Sequence, residues 1–166
     1  MRKVLHFSSP RELYICDAVV IWCFDARFEP GFRKLLKRIG VLQADSIRIA
    51  GGAKSLVSPK YESNRLFLID QLHIAMQLHG AKRVVLMVHS DCGAYGGLAA
   101  FGGDLKKEAE NHSADLQKAA AYIQSVIPEL SLEAYYIDFE GVWQIELQGE
   151  QQSNDVAVMP TRVKLA

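Results

Sequence analysis

The chain has 166 residues, 19 basic and 19 acidic, with 49% apolar residues and three cysteines. That length suits a single domain with a real core, and the charge balance argues against nucleic acid or an anionic membrane as a partner. No apolar stretch approaches the roughly 20 residues needed to span a bilayer, and an odd number of cysteines does not suggest a disulfide framework.

The first residues, MRKVLHFSSPREL, carry basic side chains with no sustained apolar run behind them, which argues against a signal peptide. A cytoplasmic, reducing location is the resulting expectation, and it leaves thiols available to a metal. Ser9 can cap a helix, Pro10 suits its first position and Glu12 completes a capping box. A short helix through about Cys16 is therefore predicted, with Leu13 facing inward and Cys16 a small buried hydrophobe.

Residues 18–23 (AVVIWC) form a continuous apolar run, as expected of a strand covered on both faces. If the backbone stays extended beyond it, Cys23, Asp25 and Arg27 line one face, because alternate side chains of a strand share a side. Residues 32–39 follow as a short helix with Arg33, Lys34, Lys37 and Arg38 on its solvated face. Residues 44–50 (ADSIRIA) read as a second strand that ends in Gly51-Gly52. Paired glycines there serve either an ordinary turn or a close backbone approach to something bound.

Ser58-Pro59 repeats the cap-then-proline signal, and Leu66, Ile69, Leu72, Met76 and Leu78 recur at helical spacing up to Gly80. His73 and His79 on this helix read as structural or surface residues, with His73 a weak candidate for moving protons. Residues 84–88 (VVLMV) are a third buried strand, closed by His89-Ser90-Asp91-Cys92-Gly93. A glycine-rich turn leads to Asp104, which begins a long helix striped by Leu105, Ala109, Leu116, Ala120, Ile123 and Ile127 and ended by Pro128. His112, among Glu110, Asn111 and Ser113, is expected to be exposed. Residues 132–139 and 142–147 flank Glu140-Gly141 as a hairpin that adds an edge to the sheet. The tail, 149–166, is polar and then mixed, and is either loosely ordered or packed on a second subunit.

Strands alternate with helices, so the predicted fold is α/β: a mostly parallel central sheet flanked by helices, with an antiparallel edge hairpin near the C-terminus. One domain spans 1–166, with its core at about 18–148. Ligands of such sheets bind beyond the C-terminal strand ends, where strand order reverses. Cys23 and His89-x-x-Cys92 both fall at such ends. Two thiolates and an imidazole suit zinc, and three protein ligands with one position left open is the catalytic pattern. Asp25, two positions after Cys23, could coordinate the metal as a fourth ligand in a closed form, or accept a hydrogen bond from water beside it. Arg27 offers a planar fork that holds a carboxylate. Gly51, Gly52 and Gly93 are candidates for the pocket wall.

Cys23-Phe24-Asp25-Ala26-Arg27 followed by His89-Ser90-Asp91-Cys92-Gly93 resembles the paired signature of the β-class carbonic anhydrases. Arg48-Ile49-Ala50-Gly51-Gly52 is similar to that family's RNAGG segment, and residues 136–142 (YIDFEGV) to its D-x-x-T-G strand turn. The resemblance covers about residues 19–147, at a length like the smallest, archaeal-type members. It implies a lyase that hydrates CO₂ reversibly to bicarbonate with hydroxide generated on zinc. It also implies zinc on Cys23, His89 and Cys92, Asp25 and Arg27 as the catalytic dyad, and a homodimer or homotetramer with sites near the subunit interface. Two thiolates donate more charge than imidazoles, so a basic pH optimum is expected. Ala26 stands where the family has Ser, and Ile49 where it has Asn. Neither is a ligand, but both bear on substrate choice. Hydrolysis of carbonyl sulfide or carbon disulfide at the same zinc is therefore an alternative, as is a non-catalytic zinc-binding homologue serving as scaffold or regulator.

Overall fold

The computed structural model describes residues 1–147. Five strands form one sheet in the order β2-β1-β3-β4-β5. They are β1 (Ala18–Trp22), β2 (Ala44–Arg48), β3 (Arg83–His89), β4 (Ser131–Ile137) and β5 (Val142–Ile145). The first four run parallel, and β5 pairs antiparallel with β4, Tyr136 opposite Trp143. The predicted α/β class and its edge hairpin are both present. Asp138 closes the hairpin by accepting from the Glu140 and Gly141 amides at 2.8 Å each and from Trp143 Nε1 at 2.9 Å.

The two central strands are buried along their length, which explains their unbroken apolar runs. Their side chains alternate between two cores. Val19, Ile21, Val84, Leu86 and Val88 face one core, and Ala18, Val20, Trp22, Val85 and Met87 the other. Helices α2 (Lys54–Val57), α3 (Glu62–His79) and α4 (Leu105–Val126) cover the first side through Leu56, Leu68, Leu72, Leu116 and Ile123. Helix α1 (Glu29–Arg38) covers the second with Phe32 and Leu35, and Trp22 stacks on Phe32 at 5.4 Å. Arg33, Lys34, Lys37 and Arg38 form its exposed face as expected.

Several local expectations change. No helix forms before β1, and Leu13 is 86% exposed. The capping residues are present, but a segment that short has no packed face to sustain a helix. The chain is instead tied down just before β1, where the Cys16 and Asp17 amides donate to the His79 and Gln43 carbonyls at 2.9 and 2.8 Å. Cys16 is buried as predicted. The helix expected from Ser58-Pro59 starts at Glu62, because α2 already occupies the preceding turn and Ser58 ends it. Its buried face is Leu68, Leu72 and Ala75, while Leu66 and Leu78 are exposed. Apolar residues surround α3 on all sides, so spacing alone could not select the inward face. On α4 the Asp104 cap is confirmed, accepting from the Lys106 and Lys107 amides. Leu105 is exposed, and His112 is fully buried rather than exposed. His79 is engaged by Asp45, with Nδ1 2.8 Å from Oδ2, whereas His73 is exposed. Among the described residues no helix is long and apolar enough to cross a membrane. The predicted tail, 149–166, lies outside the described residues.

Candidate metal centre

From β1 the chain crosses to β2 on one side and then returns to β3 on the other. The reversal point lies between the C-terminal ends of β1 and β3, where an open sheet leaves a crevice. Cys23 follows β1 directly, His89 is the last residue of β3, and Cys92 comes three positions later. The two thiol sulfurs and a ring nitrogen of His89 lie within 4.8 Å of one another, and all three residues are buried.

The backbone around them is shaped for this meeting. Gly52 (φ +55°) sits so close to both strands that a Cβ would lie 2.3 Å from the Met87 carbonyl oxygen and 3.2 Å from the Cys23 nitrogen. Of the two readings open for Gly51-Gly52, the strand-to-loop turn is the one found, with the Gly52 amide donating to the Ile49 carbonyl at 3.1 Å, and the close approach at Gly52 is to the protein's own strands. The Gly51 and Asp25 amides point at the Cys23 sulfur. Gly93 heads the short turn Gly93–Tyr95 and is exposed, with nothing within 4 Å of where a Cβ would stand.

The donor set fits a borderline-soft cation. His89 Nδ1 lies 2.8 Å from the Ser90 carbonyl oxygen, which leaves Nε2 as the free ligand atom. Nε2 is buried, and no oxygen or nitrogen takes a hydrogen bond from it. The Cys23 thiol is pushed down, first by its hydrogen bond with Cys92 and, against the effect of burial, by His89 and the two amides. The same contact, with burial, pushes Cys92 up. Such a pair holds one proton between two sulfurs, and a cation that replaces it gains two thiolates.

Asp25 and Arg27 reach this centre by a route other than strand alternation. Strand β1 stops at Trp22, and Asp25 caps a tight turn, Ala26–Phe28, by accepting the Arg27 amide at 3.0 Å. The turn folds the guanidinium back onto the carboxylate, with Nε 3.1 Å from each oxygen and Nη2 2.7 Å from Oδ2. Arg27 thereby holds the Asp25 carboxyl down to about 2, with a lesser opposing effect of burial. Asp25 Oδ2 stands 3.9 Å from His89 Nε2, beside the three ligand atoms. Arg27 is itself gripped from the other side by Asp91, Nη1 to Oδ2 at 2.9 Å and Nη2 to the carbonyl oxygen at 3.0 Å. Trp22 and Phe28 flank the His89 ring at 5.6 and 4.8 Å, and Phe139 packs on Phe28 at 5.0 Å. A groove of about 590 Å³ opens beside Arg27, Phe28 and Phe139. Ala26 is exposed, and Ile49 packs on the first core.

Behind the ligands α4 presents two residues that motif reasoning misses or misplaces, Glu108 and His112, each 0% exposed. Glu108 accepts the Asp91 amide at 2.7 Å. Burial, and then the nearby His89, push His112 down to about 4. A signal for both is present in the sequence: positions 108, 112, 116 and 120 run along one helix face, and the last two belong to the predicted apolar stripe.

A family model described as "Putative carbonic anhydrase" matches residues 15–148. An uncharacterized protein of Rickettsia bellii is 30% identical over 129 residues, covering 76% of this chain and 79% of that protein. Another, of Rickettsia conorii, is 29% identical over 129 residues, 76% of this chain and 69% of its own length. Among solved structures, the chain is similar to carbonic anhydrase from Streptococcus mutans, with a TM-score of 0.58 and 17% identity over 85% of this chain and 88% of that one. It is also similar to the β-carbonic anhydrase isoform I of Trichomonas vaginalis, with a TM-score of 0.54 and 14% identity over 84% and 87% of the two chains. At these identities the solved structures speak to the fold.

Proposed function

The chain belongs to the carbonic anhydrase family whose model it matches over residues 15–148, and from that premise we propose that it hydrates CO₂ reversibly to bicarbonate, as a β-class enzyme, at a zinc ion held by Cys23, His89 and Cys92. The observation that carries this reading is the set of three buried ligand atoms within 4.8 Å of one another, with the Arg27-held Asp25 carboxylate beside them. Zinc bound there supplies Lewis acidity that makes water nucleophilic near neutral pH, and three protein donors leave it an open position.

The chain's own residues do the rest. Asp25 is ionised throughout the working pH range, so its oxygens only accept. It orients a water by taking one hydrogen bond and does not store the proton that hydration releases. Arg27 keeps that carboxylate off the metal by occupying both of its oxygens. Trp22 and Phe28 pack on the His89 ring, and Phe28 and Phe139 line the groove beside Arg27, an apolar surface that suits a substrate without charge or dipole. Stopped-flow CO₂ hydration tests this with Asp25→Asn. The variant should keep its zinc and lose about 100-fold in kcat. Full activity in Asp25→Asn would remove Asp25 from the mechanism.

The same reading includes a second copy of the chain and a cytoplasmic setting. Exposed Leu66, Phe67, Ile74 and Leu78 on α3, with Val4, Leu5 and Phe7 before β1, supply apolar surface for a partner subunit. Three free buried thiols suit a reducing compartment.

A further inference from the structure

We propose that Glu108, on the buried face of α4, is a positioning residue for the metal centre: it holds the Asp91 amide, and through that turn it sets both Cys92 and the second anchor of Arg27. The inference rests on the assignment of Cys23, His89 and Cys92 as metal ligands.

Glu108 has no exposed surface, and its Oε2 is buried without a hydrogen-bond partner. A carboxyl is costly to bury, so one kept there in the middle of a helix face calls for a compensating role. Its Oε1 makes one short contact, accepting the Asp91 amide at 2.7 Å. Asp91 is the residue between the ligands that the rest of the site depends on. Among the described residues it is the one non-glycine with a left-handed backbone, φ +52°, a conformation that costs energy and persists only where its surroundings enforce it.

That conformation lets Asp91 face two ways. Its amide points inward to Glu108. Its carbonyl and Oδ2 point outward to Arg27 at 3.0 and 2.9 Å, and Oδ1 accepts the Leu98 amide at 3.0 Å. Gly97 fits closely against this carboxylate, with a Cβ there lying 2.9 Å from Oδ1. The next residue, Cys92, accepts the Tyr95 and Gly97 amides on its carbonyl. A physical chain therefore runs from Glu108 through Asp91 to Arg27 and Asp25, with Cys92 directly attached. One helical turn on, His112 backs the arrangement. Its Nε2 is 3.7 Å from Glu108 Oε1, and its ring packs on Tyr95 at 4.2 Å and Phe101 at 5.6 Å. Glu108 and His112 thus hold the glycine-rich segment against α4 from two adjacent points.

Two substitutions in the full-length protein separate positioning from general stability. Glu108→Gln keeps an oxygen acceptor of the same reach. Glu108→Asp shortens the arm by one methylene and cannot reach the Asp91 amide without moving. Cobalt(II) replaces zinc as a visible probe, read by its absorption bands and by affinity in chelator competition. Glu108→Gln should match wild type in both. Glu108→Asp should shift the bands, weaken cobalt binding about 10-fold and lower kcat about 10-fold, with KM changed by less than roughly 2-fold. Bands and affinity unchanged in Glu108→Asp would overturn the proposal, as would Glu108→Gln perturbing them equally. Should Glu108→Asp not fold, amide hydrogen exchange in Glu108→Gln decides. Retained protection of Asp91 with wild-type cobalt bands supports the proposal, and lost protection with unchanged bands overturns it. Wild type that binds no cobalt would instead remove the ligand assignment and this inference with it.

Discussion

Replacing Cys92 with alanine is expected to weaken zinc binding by about 10²–10³-fold and to abolish CO₂ hydration at ordinary zinc concentrations. The magnitude follows from structural zinc affinities of roughly 10–16 kcal/mol shared among four ligands, or about 2.5–4 kcal/mol for each. It should exceed the about 10–100-fold loss typical when only a residue supporting a ligand is changed. The fold should survive, because Cys92 lies in a loop after β3 and makes no ladder hydrogen bond. Cys16 supplies the control. It is also buried, but it precedes β1 and therefore sits at the opposite end of that strand from Cys23. Five strand residues separate the two ends, roughly 17 Å. Cys16→Ala should bind zinc like wild type. Equilibrium dialysis of the three proteins checks this. A Cys92→Ala protein that holds zinc as tightly as wild type would refute the assignment of Cys92 as a ligand.

Gly52→Ala is the second large effect, and it acts through the backbone. A methyl group at this position would meet the Met87 carbonyl oxygen at 2.3 Å and the Cys23 nitrogen at 3.2 Å. Those atoms belong to the backbone of the two central strands and their ends, and cannot turn aside as a side-chain tip would. The left-handed backbone adds ~1–2 kcal/mol for any residue with a Cβ, and overpacking a core typically adds ~1–3 kcal/mol. The total loss is about 2–5 kcal/mol, or roughly 5–20 °C in melting temperature for a domain of this size. Gly40→Ala isolates the first contribution, since Gly40 shares a positive φ of +73° and has nothing within 4 Å of where a Cβ would stand. Thermal melts of both variants make the comparison. Gly52→Ala should also release zinc more readily, because the methyl group pushes Cys23 away from the end of β3. Equal melting temperatures for the two variants would contradict the close approach described at Gly52.

The parts of this architecture that can be read in advance are those dictated by neighbours in sequence. AVVIW and VVLMV are unbroken β-branched and aliphatic runs, and only a strand covered on both faces hides all of them. Their order with the intervening helices leaves few topologies to consider. The candidate metal ligands are legible because thiol and imidazole groups stand together at the tips of two such strands. Asp25 and Arg27 are legible as a pair, although a capped turn, and not an extended strand, brings them together. The remainder depends on contacts distant in sequence. The helix face that Glu108 shares with Leu116 and Ala120 signals its burial, but its contact with Asp91 comes from another element and has no local signal. His112 is hidden by the polar residues beside it, since its burial depends on which helix face meets the sheet. On α3 apolar residues on every side leave that choice open. The segment before β1 shows the converse. Its capping chemistry is present, but caps alone do not hold a helix that has no face to bury.

The central claim is that zinc at Cys23, His89 and Cys92 turns over CO₂, and titrating zinc into chelator-stripped protein while following CO₂ hydration tests it most directly. The expected result is a rate near background in the stripped protein, rising linearly and breaking at one zinc per chain. Tight binding of one zinc per chain with CO₂ hydration still at background would contradict it.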